Sequence, residues 1–366
     1  MSELEIRFLK AGMILSEDAY SSGGTQLIMP KGTVLDDTRI ARLAFYGIKK
    51  VNADLPGVTG AKEPENEVLQ EKKESSYREK LKMSSEFKKF KMDFEDSFIG
   101  YQRNINEVIY NNKPLDVKAM TEPVYDLIKD CYGPSNIFSM LTELRDYNDA
   151  TYIHCINVAL IAHSIGEWMH LDEEDKRLLT EAGLIHDIGK IFLPQELLNK
   201  KEPLTDVELT KLKLHPQLGY KAVQDQNINP HIKNTVLMHH ERCDGSGYPR
   251  HLTINQIDPV ARIISIADVY DAMTSERIYR KAKTPFYAVE KIEEEGFSKF
   301  DPKALMIFLD CISNTYIGNR VRLSDGEEGE VVYINRNHYS RPTIKISSNK
   351  FIDLSERKDL EIIGII

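Results

Sequence analysis

The adjacent pair His186 and Asp187, inside residues 181–190 (EAGLIHDIGK), is the first place in this chain where residue types suggest chemistry. Neutral imidazole and carboxylate are both good ligands for borderline divalent metals, and neighbours on a helix diverge by about 100°. One aspartate can therefore bridge two ions beside its histidine. Taken alone, the pair is equally well explained by a packed histidine and a capping aspartate. It recurs, however, with His215, the doublet His239 and His240, and Asp268 downstream, and with His154 upstream. Five histidines and two carboxylates in an otherwise helical region point to a metal centre rather than to packing. Lys190 follows closely; a lysine at a helix C-terminus complements the dipole, so only its nearness to the pair marks it as functional. The loop after the doublet, residues 242–249, holds Gly245, Gly247, Tyr248 and Pro249, a stiff arrangement that can approach a ligand closely. Arg277 and Arg280 follow Asp268 in a local basic patch suited to a phosphate.

These side chains need helices to aim them. His154 shares a face with Val158, Ile161 and Ile165, which directs it inward, whereas His163 falls half a turn away and, like His170, reads as a surface histidine. Asp172 and Glu173 open the next helix, Leu178, Leu179, Ala182 and Ile185 form its apolar face, His186 and Asp187 come at its last turn, and Gly189 terminates it. Pro216 leaves His215 at an element boundary. His231 lies in a polar loop without a role. Residues 236–241 end a helix, and the helix over 261–274 carries Asp268, with Ile264 and Ala267 on its buried face.

His186-Asp187-Ile188-Gly189-Lys190, then His239-His240-Glu241-Arg242 leading to Asp244-Gly245-Ser246-Gly247-Tyr248-Pro249, then residues 267–275 (ADVYDAMTS), resemble the HD-GYP family, a branch of the HD metal-dependent phosphohydrolases. The resemblance covers residues 132–314, with several motifs in the family's order. It implies an all-helical domain, a site of two or three ions, usually iron or manganese, and hydrolysis of cyclic di-GMP to pGpG and in some members to GMP. By position, one ion falls to His154, His186, Asp187 and Asp268, and the other to Asp187, His215, His239 and His240. A pair of ions about 3.5–4 Å apart would generate a bridging hydroxide and clamp the phosphoryl oxygens. Lys190, with Asp187, is then catalytic, neutralising charge on the phosphate. Arg277, Arg280, Tyr248, Gly247 and Pro249 line the substrate pocket. The third-metal glutamate of some members is replaced by Ala150, and Asp149 points away on a helix, so the expectation is two ions per chain. The alternatives are an HD phosphohydrolase acting on another cyclic dinucleotide or nucleotide, and a catalytically silent receptor; the complete ligand set argues against the latter.

Composition narrows the partners. The 366 residues allow two to three domains, and a net charge of −9 argues against a nucleic-acid polymer as partner, since binding its phosphates calls for a net basic surface. Cys131, Cys155, Cys243 and Cys311 show no CxxC spacing, so the thiols read as reduced. No signal-like start and no long apolar run appear, so the expected location is the cytoplasm, without membrane contact. The expected fold is mainly α: an HD-type helical domain over 131–315, flanked by a small α+β module over 1–55 and a small β-barrel-like module, or a meander with hairpin turns, over 316–366. Both end modules loosely resemble those flanking HD-GYP domains elsewhere. Residues 56–130 form a linker and an amphipathic helix. Its stripe, Tyr77, Leu81, Phe87, Phe94, Phe98, Tyr101, Ile105 and Val108, packs on its own domain or, in the other reading, forms a homodimer contact through 76–110.

Overall fold

The computed structural model describes residues 3–6, 9–20, 27–36, 39, 40, 43, 48–54, 81–111, 113–130, 134–144, 150–275 and 283–366. The chain divides into two compact units, Met1–Lys73 and Glu74–Ile366.

In the first unit, β1 (Glu3–Glu5) and β2 (Ile14–Leu15) flank β5 (Lys50–Asp54) in an antiparallel sheet, while β3 (Ala19–Tyr20) pairs with β4 (Leu27–Met29). Leu9, Met13, Leu15, Leu35, Leu43, Val51 and Ala53 fill its small core. The Asp36 carboxylate accepts from the Arg39 amide at 2.7 Å, as a capping residue should. Most of the helix expected after it, the turn 21–24 and the linker 56–64 lie outside the described residues.

The second unit is helical over most of its length: α1 (Ser85–Asn111), α2 (Val117–Asp130), α3 (Pro134–Glu143), α4 (Ala150–Trp168), α5 (Glu173–Ile185), a 3-10 turn (Ile188–Phe192), α6 (Gln195–Leu198), α7 (Asp206–Leu212), α8 (His215–Val223), α9 (Pro230–Met238), α10 (Pro259–Thr274), α11 (Pro285–Lys299) and α12 (Pro302–Asn314). Helix α4 is its axis. It is apolar all round, and every residue from Cys155 to Ile165 is buried, as a central helix requires. Helices α5 and α10 pack on it directly. Each is started by an aspartate: Asp172 accepts from the Asp175 amide at 2.9 Å, and Asp258 from the Val260 amide at 3.0 Å.

Two expectations change here. His163 is buried, not superficial; its Nδ1 lies 3.2 Å from the Thr180 hydroxyl and its ring packs edge-on against Tyr125. A helix that is apolar all round has no outer face to assign. His231 belongs to the first turn of α9 rather than to a loop, with Nδ1 2.8 Å from the Asp258 carboxylate. On α1, Phe87, Phe90, Phe94, Tyr101 and Ile105 are buried in this unit's own core, as the first of the two readings of that stripe has it. Tyr77 lies outside the described residues.

The C-terminal strands β6 (Arg320–Leu323), β7 (Glu328–Asn335), β8 (His338–Ser347), β9 (Lys350–Asp353) and β10 (Ile362–Ile365) form one antiparallel sheet in the order β10-β6-β7-β8-β9. β9 and β10 occupy opposite edges, so the element is an open meander with β10 folded back on β6, not a closed barrel. Alternation along the strands places Val321, Leu323, Val331, Ile344 and Ile352 in the same buried core as the helices. The Glu293 carboxylate on α11 accepts from the amides of Tyr339 at 2.9 Å and Ser340 at 3.2 Å, and Arg341 pairs with Glu290 at 3.0 Å. The boundaries expected at 130/131 and 315/316 do not divide the buried core.

Candidate metal centre

His186 caps the C-terminus of α5, its amide bonded to the Ala182 carbonyl at 2.9 Å. At Asp187 the backbone leaves helical geometry, with φ −100° and ψ 11°, and the 3-10 turn follows. Gly189 therefore does not cap the helix, as its position in the sequence suggests. A Cβ there would fall 1.8 Å from the His215 carbonyl oxygen, so glycine lets this turn press against the start of α8. That approach brings His215 to Asp187.

Asp187 is the meeting point of two clusters. Its Oδ1 lies 3.2 Å from His215 Nε2 and 3.6 Å from His239 Nε2; its Oδ2 lies 3.4 Å from His186 Nε2 and 3.5 Å from His154 Nε2. His154, His186 and Asp187 form one group of donor atoms, and Asp187, His215, His239 and His240 the other. Asp268 joins them, with Oδ1 3.1 Å from His154 Nε2 and Oδ2 3.7 Å from His240 Nδ1. The structure thus brings together all seven residues singled out by spacing, and all but His240 are buried.

Their protonation is arranged from behind. Nδ1 of His186 donates to the Gly183 carbonyl at 2.7 Å, that of His215 to Leu212 at 2.7 Å, and that of His239 to Thr235 and Val236 at 3.1 Å. Nδ1 of His154 donates to the Asp271 carboxylate at 2.6 Å, and Asp271 also accepts from Asn157 at 2.9 Å and from the Ser275 hydroxyl at 2.7 Å. With Nδ1 holding the proton, Nε2 of each ring presents a lone pair to the centre. Burial pushes His239 down to about 4 and, together with His239, holds His240 well below an ordinary imidazole. Burial acts to raise the Asp187 carboxyl, but Lys190 and His186 hold it well below the usual carboxylate range; against the same burial, His154 and His240 do so for Asp268. Neutral imidazoles and ionised carboxylates are the forms that bind metal.

The donors also fit a metal by what they lack. The buried Nε2 of His186 and Oδ1 of Asp187 have no hydrogen-bond partner among the described residues, and with the ring protons on Nδ1 both atoms are acceptors. Buried polar atoms are rarely left so, and a coordinated cation would satisfy both. A buried His/Asp cluster of this kind suits divalent metal binding.

Around the centre, the Lys190 ammonium contacts Asp187 Oδ2. Tyr248 stacks on His240 with ring centroids 4.7 Å apart, and the Lys213 ammonium lies 5.3 Å from the tyrosine ring centroid. Gly247 has no room for a side chain, since a Cβ would sit 2.3 Å from the Arg242 nitrogen. Half-buried Pro249 follows Tyr248. Beneath the loop, buried Glu241 accepts from the amides of Arg250 at 2.6 Å and Leu252 at 2.9 Å. Arg277, Arg280 and Asp149 lie outside the described residues, and α4 begins at Ala150. Asp271 and Lys213 had no role in the sequence reading. Asp271 was within reach of it, since a residue three positions after Asp268 occupies the same helical face.

Residues 135–304 match the family model of the HD domain. A cyclic di-GMP phosphodiesterase of Pseudomonas aeruginosa is 33% identical over 233 residues, which are 63% of this chain and 56% of that protein. A 3'3'-cGAMP-specific phosphodiesterase of Vibrio cholerae is 35% identical over 152 residues, 40% of this chain and 35% of that protein. The chain spans about half the length, or less, of these relatives. An HDG"Y"P protein of Bdellovibrio bacteriovorus shares the fold, with a TM-score of 0.51 and 17% identity over 85% of this chain and 99% of that one. No described helix is long and apolar enough to cross a membrane.

Proposed function

We propose that the chain, whose residues 135–304 match the HD domain and whose relatives are consistent with the HD-GYP branch, is a metal-dependent phosphodiesterase that hydrolyses cyclic di-GMP to pGpG, with or without onward cleavage to GMP. The observation that carries the reading is the convergence of histidine Nε2 atoms and two carboxylates on Asp187, with His186 Nε2 and Asp187 Oδ1 uncommitted.

His154, His186, Asp187 and Asp268 hold one divalent ion, and Asp187, His215, His239 and His240 the other; iron or manganese suits this mixed nitrogen and oxygen set. Bound there, the ions supply an activated water at neutral pH and offset phosphoryl charge. The chain's own groups do the rest. Asp187 orients both halves of the site, and Lys190 beside it neutralises charge gathering on the phosphate. Tyr248, held by His240 and by the close approach at Gly247, forms the wall with Pro249. Arg277, by its likeness to the family's phosphate-contacting arginine, is assigned to a substrate phosphate, and Arg280 to the same pocket. We place the protein in the cytoplasm with two ions per chain.

Incubating anaerobically purified, metal-loaded protein with cyclic di-GMP, cyclic di-AMP and 3'3'-cGAMP, and resolving products by chromatography, tests this. Linear pGpG from cyclic di-GMP is expected. Cleavage of 3'3'-cGAMP in preference would favour the second reading, to which the Vibrio cholerae relative lends weight. Bound metal without cleavage of any of the three would leave a receptor.

A further inference from the structure

Tyr101 lies on α1, outside the residues that match the HD domain, and is 2% exposed. Its hydroxyl donates to the Leu184 carbonyl in the last turn of α5, two residues before His186. Carbonyls in a helix's last turn run out of intrahelical donors, so this bond also completes the helix end. The Tyr101 ring is fixed by an edge-on contact with Tyr152 of α4, centroids 5.8 Å apart. Tyr101 therefore touches both helices, its hydroxyl reaching α5 beside the His186–Asp187 turn and its ring reaching α4.

We propose that Tyr101 is a positioning residue of the metal centre, tying the last turn of α5 to α4 so that His186 and Asp187 meet His154 in one register. The inference rests on reading the His/Asp cluster as a metal centre. Neither α4 nor α5 contributes this hydroxyl, so the helix that precedes the HD domain in sequence sets its geometry. Removing an outer hydrogen bond that orients ligands typically costs roughly 10- to 100-fold in metal affinity.

The test titrates the metal-free full chain with Mn²⁺ alone, by calorimetry, beside thermal melting. Tyr101→Phe keeps the ring and is expected to bind Mn²⁺ roughly 10- to 100-fold more weakly while still melting cooperatively. Phe94→Leu, on the same buried face of α1, lowers the melting temperature but keeps wild-type affinity. Wild-type affinity in Tyr101→Phe overturns the proposal, as does an equal loss in Phe94→Leu, which would mean general softening. A wild-type protein that binds no Mn²⁺ overturns the metal reading itself, and this inference with it.

Discussion

His154 and His163 lie on the same helix, both are 5% exposed, and they do opposite things. His163 is finished as a core residue: a neutral hydroxyl at 3.2 Å, an aromatic edge, and a pKa lowered first by burial and then by Lys176. His154 has an anionic carboxylate behind Nδ1 and two more facing Nε2. Burial does not distinguish a ligand histidine from a packing histidine. The charge and direction of its partners do.

The strongest way to break this contrast is Asp187→Ala, which removes the carboxylate shared by both clusters. Wild-type protein prepared without chelators should carry two ions per chain by elemental analysis, and the variant should lose metal from both sites and fall below detectable turnover. Wild-type metal content in Asp187→Ala would sink the assignment, and a third fully occupied ion would refute the count. A subtler change, Asp271→Asn, replaces the charge behind His154 with a neutral partner like that of His163. Metal affinity should drop roughly 10- to 100-fold in a calorimetric titration; no drop would mean that the carboxylate only packs.

Arg277→Ala separates substrate from metal. Metal content stays, while affinity for the cyclic dinucleotide falls by ~1.5–3 kcal/mol, the typical worth of a charge-assisted phosphate contact. Equal affinity would make the basic patch a solvated face. The smallest effect belongs to His163→Gln, which should leave metal content untouched and cost about 1 kcal/mol of stability. Folded His163 binds its proton less tightly than an unfolded histidine, so its contribution is complete above about 6.5 and is lost as pH falls through the lowered native value. Melting curves across that window should be flatter for His163→Gln, and metal loss in this variant would erase the contrast with His154.

Residue type, recurrence and the family resemblance together picked out the residues that meet at Asp187, because ligands recur on helices whose apolar period also says which way they point. The same periodicity failed at His163: it assigns faces, and α4 has only buried ones. It took Gly189 for a terminator, since a sequence shows a glycine's freedom but not the backbone pressed against it. Tyr101 was visible only as one more apolar position on α1, since nothing local distinguishes a packed phenol from one whose hydroxyl serves a carbonyl 83 residues away. The C-terminal strands were legible as strands, but whether they close on themselves depends on which edges meet, and that is a long-range property.

The sheet that follows α12 has a consequence for truncation. The residues that match the HD domain end at 304, yet the buried core continues without interruption to Ile362, and Glu290 and Glu293 of α11 are bonded to β8. The matched stretch and the folded core are therefore different lengths of chain. A piece cut at residue 304 would carry every proposed ligand and yet lose Phe308, Leu309 and Ile312 together with the strands, leaving the apolar side chains that pack on them open to water.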